Sequence, residues 1–119
     1  MIFIPGNVPS SKNSKQWTGK MLISSKIVRN YVKEHEMEWQ LYKKDFLKLV
    51  KNKSKPYRVT FYFIRDTKRK FDYINALQLP CDLMVKYGWL DDDNCNEIIP
   101  VIKGYEVDKS RAGVIIDIE

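Results

Sequence analysis

Residues 57–88 read YRVTFYFIRDTKRKFDYINALQLPCDLMVKYG, and the fold class turns on the change of period inside them. From Tyr57 to Arg65 the side chains alternate, with Tyr57, Val59, Phe61 and Phe63 on one face and Arg58, Thr60, Tyr62 and Ile64 on the other. A period of two, rich in aromatic and β-branched residues, predicts a half-buried strand. From Tyr73 to Tyr87 the sequence suits a helix, with Gly88 placed to cap its C-terminus. Pro80 lies inside that span, where it removes a backbone donor, so a kink or a break into two short pieces is expected.

Upstream, Ser24 and Ser25 are good helix N-caps, and from there Val28, Tyr31 or Val32, His35, Trp39, Tyr42, Phe46 and Leu49 recur at steps of three and four. One amphipathic helix from about Lys26 to about Val50 follows, ended by KNKSK and Pro56. His35 falls on its apolar stripe, where a packed or hydrogen-bonded histidine is expected. Ile2 to Pro5 reads as a strand, Gly6 to Gly19 as a long loop, and Met21 to Ile23 as a short strand. Downstream, Ile98 to Ile102 and Val114 to Ile118 are β-branched runs that suggest a closing pair of strands. The sum is an α+β fold, two main helices on a small mixed β-sheet, in a single domain spanning residues 1–119.

With 119 residues, 44% of them hydrophobic, the chain can bury one core without disulfides or structural metal. Its net charge of +6 conceals a split. Residues 1–70 carry 17 basic and 5 acidic side chains, a balance of +12, whereas residues 71–119 carry 4 basic and 10 acidic, a balance of −6. A basic region is the usual footprint of a polyanion, and a compact acidic patch beside it is what a metal-dependent phosphodiesterase requires. Ordinary solvated surface is the competing account. Cys81, Cys95 and the single His35 are too few for a four-ligand zinc site. Met1 to Val8 lacks the features of a signal peptide and no apolar run approaches a membrane span, so a soluble, cytoplasmic protein without membrane partners is expected.

The chemistry is concentrated in Arg65 to Asn96. Lys68, Arg69 and Lys70 stand at a strand end just before Asp72, where positive charge would bind and orient a phosphate; a solvated strand end is the alternative. Asp72 opens the helix and Asn75 follows three residues later, a pattern that an N-cap also explains. Asp91, Asp92 and Asp93 are adjacent carboxylates that repel one another unless exposed or neutralised by a hard cation. An EF-hand is excluded, because the sixth position from Asp91 is Asn96 where that loop needs glycine.

This window resembles the RusA-like Holliday-junction endonucleases, found largely in phages and prophages. Pro9, Ser10 and Asn13 loosely match the family's early Pro-Ser-x-x-Asn-like loop. Asp72, Tyr73, Ile74 and Asn75 stand at its Asp-x-Asp-Asn motif, Asp82 and Leu83 at a step within the helix, Gly88 at the helix end, and Asp92 with Asp93 at an aspartate pair before a strand. The resemblance implies a homodimer that binds four-way DNA junctions and nicks two strands with magnesium or manganese. It implies Asp72 as the first metal ligand and Asp93, or Asp92 in a shifted register, as the last, with Asp91 or Asn75 as substitutes. Two positions depart from the family: Ile74 replaces the second aspartate of the motif and Gln78 replaces a helix lysine that assists catalysis. Magnesium often needs only one or two protein carboxylates alongside phosphate and water, so the expectation is a metal-dependent hydrolysis weakened, not abolished, by these two departures.

Geometry constrains that expectation. A straight 15-residue helix would carry the acidic cluster roughly 22 Å from Asp72, and five or six extended residues return only about 17 to 20 Å. Either the helix breaks at Pro80, or Asp72 of one subunit meets the aspartates of another. On the DNA side, Lys12, Lys15 and Lys20 are candidate backbone contacts, and Trp17 is a candidate to stack on an unpaired base or to anchor its loop on the core. Two other functions are compatible with the residues: a non-catalytic DNA-binding protein that keeps the fold and the basic surface, and a protein-interaction or regulatory module.

Overall fold

The alternating segment is a strand over the expected range, and it takes an inner place in the main sheet. A computed structural model describes residues 1–10, 15–17, 22–24 and 26–119, with 15–17 and 22–24 described by their backbone alone. Its elements are β1 (Ile2–Pro5), β2 (Lys15–Trp17), β3 (Leu22–Ser24), α1 (Lys26–Leu41), α2 (Lys43–Leu49), β4 (Tyr57–Arg65), α3 (Tyr73–Lys86), β5 (Ile98–Val107) and β6 (Gly113–Ile118), with a 3-10 turn at Lys109–Arg111 before β6. The fold is α+β: three α-helices among the described residues and a mixed four-stranded sheet of order β1-β6-β4-β5, with β2 and β3 forming a separate pair.

The two C-terminal runs do not pair with each other as expected. They flank β4 on opposite sides, β5 parallel and β6 antiparallel. An inner strand as apolar as β4 needs hydrogen-bond partners along both edges, and this order supplies them. The long loop expected over Gly6 to Gly19 contains β2, which pairs with β3 through Lys15↔Ser24, Gln16↔Ile23 and Trp17↔Leu22. The expected helix from Lys26 to Val50 is interrupted at Tyr42, where ψ is −1°. Hydrogen bonds from Tyr42 N to Glu38 O and from Phe46 N to Tyr42 O, both 3.0 Å, keep the pieces in line.

Strand register sorts the sheet into two faces. Ile2 and Ile4 pair with Ile116 and Val114, which pair in turn with Phe61 and Phe63, and all six are fully or almost fully buried. On this face the predicted helix stripe is laid down, with Val28, Tyr31, Trp39 and Phe46 buried in the same cluster. Off the main stripe's centre, His35 is half-buried. It lies 4.9 Å from the Tyr31 ring with Nδ1 3.4 Å from Glu38 Oε1, the packed histidine the pattern implied. Gly6 is what makes room for it: a Cβ there would lie 2.3 Å from His35 Nε2, and φ at Gly6 is +102°.

Of the kink or break expected at Pro80, the break does not occur, and α3 runs unbroken from Tyr73 to Lys86. Proline forfeits the hydrogen bond to Ala76 O, but Ala76, Leu79, Pro80, Cys81, Leu83 and Met84 are all buried along the helix. Tertiary packing of that face outweighs the local penalty. The end of α3 is as expected. Gly88 has φ +81°, and the bonds Gly88 N to Val85 O (3.1 Å) and Trp89 N to Met84 O (2.8 Å) form a Schellman cap.

Candidate nucleic-acid interface and carboxylate sites

At the end of β4, Arg65 turns inward. Its Nη1 donates to the Val8 carbonyl at 2.6 Å, and its guanidinium lies 4.4 Å from the centre of the Phe71 ring. Burial pushes its pKa below the usual arginine value, opposed by the neighbouring Asp66 charge. The Asp66 N–H donates to Asn7 Oδ1 at 3.0 Å. Asn7 and Val8 are therefore fastened to the strand end, and Pro9 and Ser10 lead away from it. The side chains of Lys12, Asn13, Lys15, Trp17 and Lys20 lie outside the described residues.

Beyond Arg65 the chain crosses to α3 through Lys68, Arg69 and Lys70. All three are exposed and none forms an ion pair with another described residue. Exposed Lys and Arg side chains of this kind can contact phosphate oxygens. Asp72 occupies the N-cap position with φ −99° and ψ 129°, but its side chain does not cap the helix backbone. Its Oδ2 accepts from Asn75 Nδ2 at 3.0 Å. Ile74, where the resembled motif has its second aspartate, is 77% exposed. Gln78 is exposed as well and donates to Asp82 Oδ1 at 2.8 Å.

The three adjacent aspartates have separate environments. Asp91 Oδ2 accepts from Lys55 Nζ at 3.1 Å, and the same ammonium donates to Glu97 at 2.9 and 3.0 Å. The Asp91 N–H also donates to Glu97 Oε1, so Asp91 and Glu97 bracket the loop and Lys55 ties it to the segment before β4. Hydrogen bonds to Glu97 and Asp91 in turn raise the Lys55 pKa. Asp92 folds the turn, accepting from Asp93 N at 2.8 Å and Asn94 Nδ2 at 3.0 Å. The Asp93 carboxylate makes no hydrogen bond or ion pair with another described residue. Its charge acts on the Cys81 thiol, halfway along α3.

That placement marks Cys81. Burial first, then the Asp93 and Asp82 charges, push its thiol up to about 12, whereas Cys95 is exposed. Since the thiolate is the reactive form, the native chain at pH 8 is expected to take up one equivalent of a thiol reagent at Cys95 and a second only after unfolding. Counting equivalents by mass before and after denaturant checks this.

Among the described residues of one chain, no three His, Cys, Asp or Glu side chains gather into a metal-binding group. α3 is unbroken, so the route that closed the site through a break at Pro80 is corrected. The carboxylates are hard oxygen donors of the kind magnesium takes singly or in pairs, and Asp72, Asp92 and Asp93 are all exposed. Asp91, held by Lys55, is the least free of the candidates. Sequence reading missed Arg65, Asn7, Lys55 and Glu97; the contacts of Arg65 with Val8, of Asn7 with Asp66 and of Lys55 with Asp91 and Glu97 join residues 36 or more apart, and no local pattern announces them.

Compared with models of known protein families and with curated proteins, the chain matches none of them. No helix among the described residues is long and apolar enough to cross a membrane.

Proposed function

We propose that this protein is a metal-dependent endodeoxyribonuclease that hydrolyses phosphodiester bonds in branched DNA, in the manner of a Holliday-junction resolvase. The observation that carries the reading is the order of charges around one helix: three exposed cations at Lys68–Lys70 that pair with no other described residue, the exposed Asp72 at the helix start, and, after the helix, the exposed Asp93, whose carboxylate has no partner among the described residues. In this reading polyanion-binding charge would precede α3, and metal-binding charge would stand at its start and beyond its end. Asp72 and Asp93 would hold magnesium or manganese, with Asp92 next in line. Such an ion would supply charge neutralisation at the phosphate and an activated water. With one or two protein carboxylates it leaves positions for phosphate oxygens, and a homodimer would let Asp72 of one copy and Asp93 of the other serve one phosphate.

Incubating the purified protein with a labelled four-way junction tests the proposal. Nicking near the branch with magnesium or manganese and none with chelator is the expected result. Ile74 offers a second test. At 77% exposure it tolerates a carboxylate without burying charge, so Ile74→Asp is expected to raise the cleavage rate by roughly tenfold while leaving the melting temperature unchanged.

A second reading has its own support. Ile74 cannot coordinate a metal, and Gln78 is engaged with Asp82 instead of bearing a cation, which favours a protein that binds branched DNA without cutting it. That reading is upheld if the wild type binds junctions and Ile74→Asp is needed for any cleavage.

A further inference from the structure

Phe71, Tyr73 and Tyr105 form a corner of three rings beside the basic segment. Ring centres lie 5.3 Å apart for Phe71 and Tyr73, 5.1 Å for Phe71 and Tyr105, and 6.2 Å for Tyr73 and Tyr105, with interplanar angles of 80°, 85° and 68°. Phe63, fully buried, lies 6.1 Å from Phe71 and 6.4 Å from Tyr73 and roots the corner in the core. Yet Tyr73 is 36% and Tyr105 50% exposed, and Ile74 beside them 77%. A cavity of about 590 Å³ opens here, lined by Phe71, Asp72, Tyr73, Ile74 and Asn75.

Perpendicular aromatic rings can serve a cation or a flat ligand, and the surroundings decide between them. Arg65 already covers one face of Phe71, and Lys68, Arg69 and Lys70 immediately precede it in the chain. A cationic ligand would meet Arg65 over Phe71, with Lys68–Lys70 next in the chain, against the single Asp72 carboxylate on the cavity wall. A nucleotide suits both features, its base stacking on a tyrosine face and its phosphate meeting the exposed cations of Lys68–Lys70. We propose that the Phe71–Tyr73–Tyr105 corner is a stacking platform for one unpaired nucleobase of a DNA strand whose backbone lies along Lys68–Lys70. An unpaired base is required because bases inside a duplex present no free face. The platform touches Asp72 through the shared cavity, so the base it holds lies next to the phosphate at the proposed carboxylate site. This inference rests on the DNA-binding reading above and adds the structural feature of the substrate that is recognised.

The test uses binding alone, in chelator, so that cleavage does not enter. Wild-type protein is titrated against an intact duplex and against the same duplex with one unpaired 2-aminopurine. Binding to the second about tenfold more tightly, with quenching of the 2-aminopurine emission, is the expected result. Tyr73→Ala with Tyr105→Ala is expected to abolish both the preference and the quenching while leaving intact-duplex affinity within about twofold; Tyr105→Phe is expected to retain both. Equal affinity for the two DNAs, unquenched emission with wild type, or a preference that survives the double substitution in a folded variant would overturn the platform while leaving DNA binding intact. Absence of binding to either DNA would overturn the DNA reading and the platform with it. Where the double variant does not fold, Tyr105→Ala alone, at a half-exposed strand position, is expected to lose most of the quenching, and quenching unchanged in that variant would overturn the platform.

Discussion

Replacing Trp89 by alanine is expected to destabilise the protein by about 3 to 5 kcal/mol, a large part of the roughly 5 to 15 kcal/mol that a domain of this size possesses. Trp89 is 3% exposed, and its ring centre lies 5.3 Å from Trp39 and 5.2 Å from Phe46, so its removal empties the junction between α1, α2 and the end of α3. Its indole N–H donates to the Trp39 carbonyl at 2.7 Å. Alanine therefore leaves both a cavity and a buried acceptor without its partner. Trp89→Phe separates the two terms: it keeps most of the ring contact, loses the hydrogen bond, and is expected to cost about 1 to 2 kcal/mol. Urea denaturation followed by circular dichroism measures both, as shifts of midpoint at unchanged slope. Trp89 also supplies the residue after the Schellman glycine, so this loss should loosen the loop that carries Asp91 to Asp93. A shift below about 1 kcal/mol for alanine would show that the indole does not hold that junction.

The second large effect concerns DNA. Changing Lys68, Arg69 and Lys70 together to glutamine removes three exposed cations that pair with no other described residue, so folding stability should hardly move. Each phosphate contact contributes about 0.9 to the slope of log affinity against log salt, so the slope is expected to fall by up to about 2.7. The consequence depends on conditions in a way that packing damage would not. At 50 mM salt the loss of affinity is expected to approach about a thousandfold, and at 500 mM it should be under about tenfold. Fluorescence anisotropy with a labelled junction across that salt range gives both numbers. Parallel salt lines for wild type and variant would place the DNA contacts elsewhere.

Much of the fold is legible in the sequence because periodicity reports directly on burial. The alternation from Tyr57 to Arg65 and the stripe from Val28 to Leu49 were enough to place β4 and the two helices on one core. What sequence could not specify was partnership. Whether β5 pairs with β6 or with β4 depends on which edges need satisfying once the chain is collapsed, and no residue in either run encodes it. The unbroken helix through Pro80 is of the same kind, a local rule overridden by burial of the surrounding face.

Within the candidate site, residue types were legible and environments were not. Three adjacent aspartates are equivalent on paper, but Lys55 arrives from 36 residues upstream to engage Asp91, the turn absorbs Asp92, and only Asp93 is left without a hydrogen-bond partner among the described residues. Likewise Phe71 and Tyr73 flank Asp72 in sequence, whereas Tyr105 joins them only because β5 runs parallel to β4 and places it opposite Phe63.

The account stands or falls on hydrolysis by the assigned carboxylates. Single-turnover cleavage of an end-labelled four-way junction should be followed for wild type, Asp72→Asn, Asp93→Asn and, as an internal control, Asp91→Asn, each with magnesium, manganese or chelator and with junction binding measured in parallel. Expected is metal-dependent cleavage by wild type, a loss of at least about a hundredfold in Asp72→Asn and Asp93→Asn at undiminished binding, and a smaller loss in Asp91→Asn, whose carboxylate serves Lys55. Cleavage that survives Asp93→Asn, or a wild type that binds the junction and leaves it intact with every metal, would contradict it.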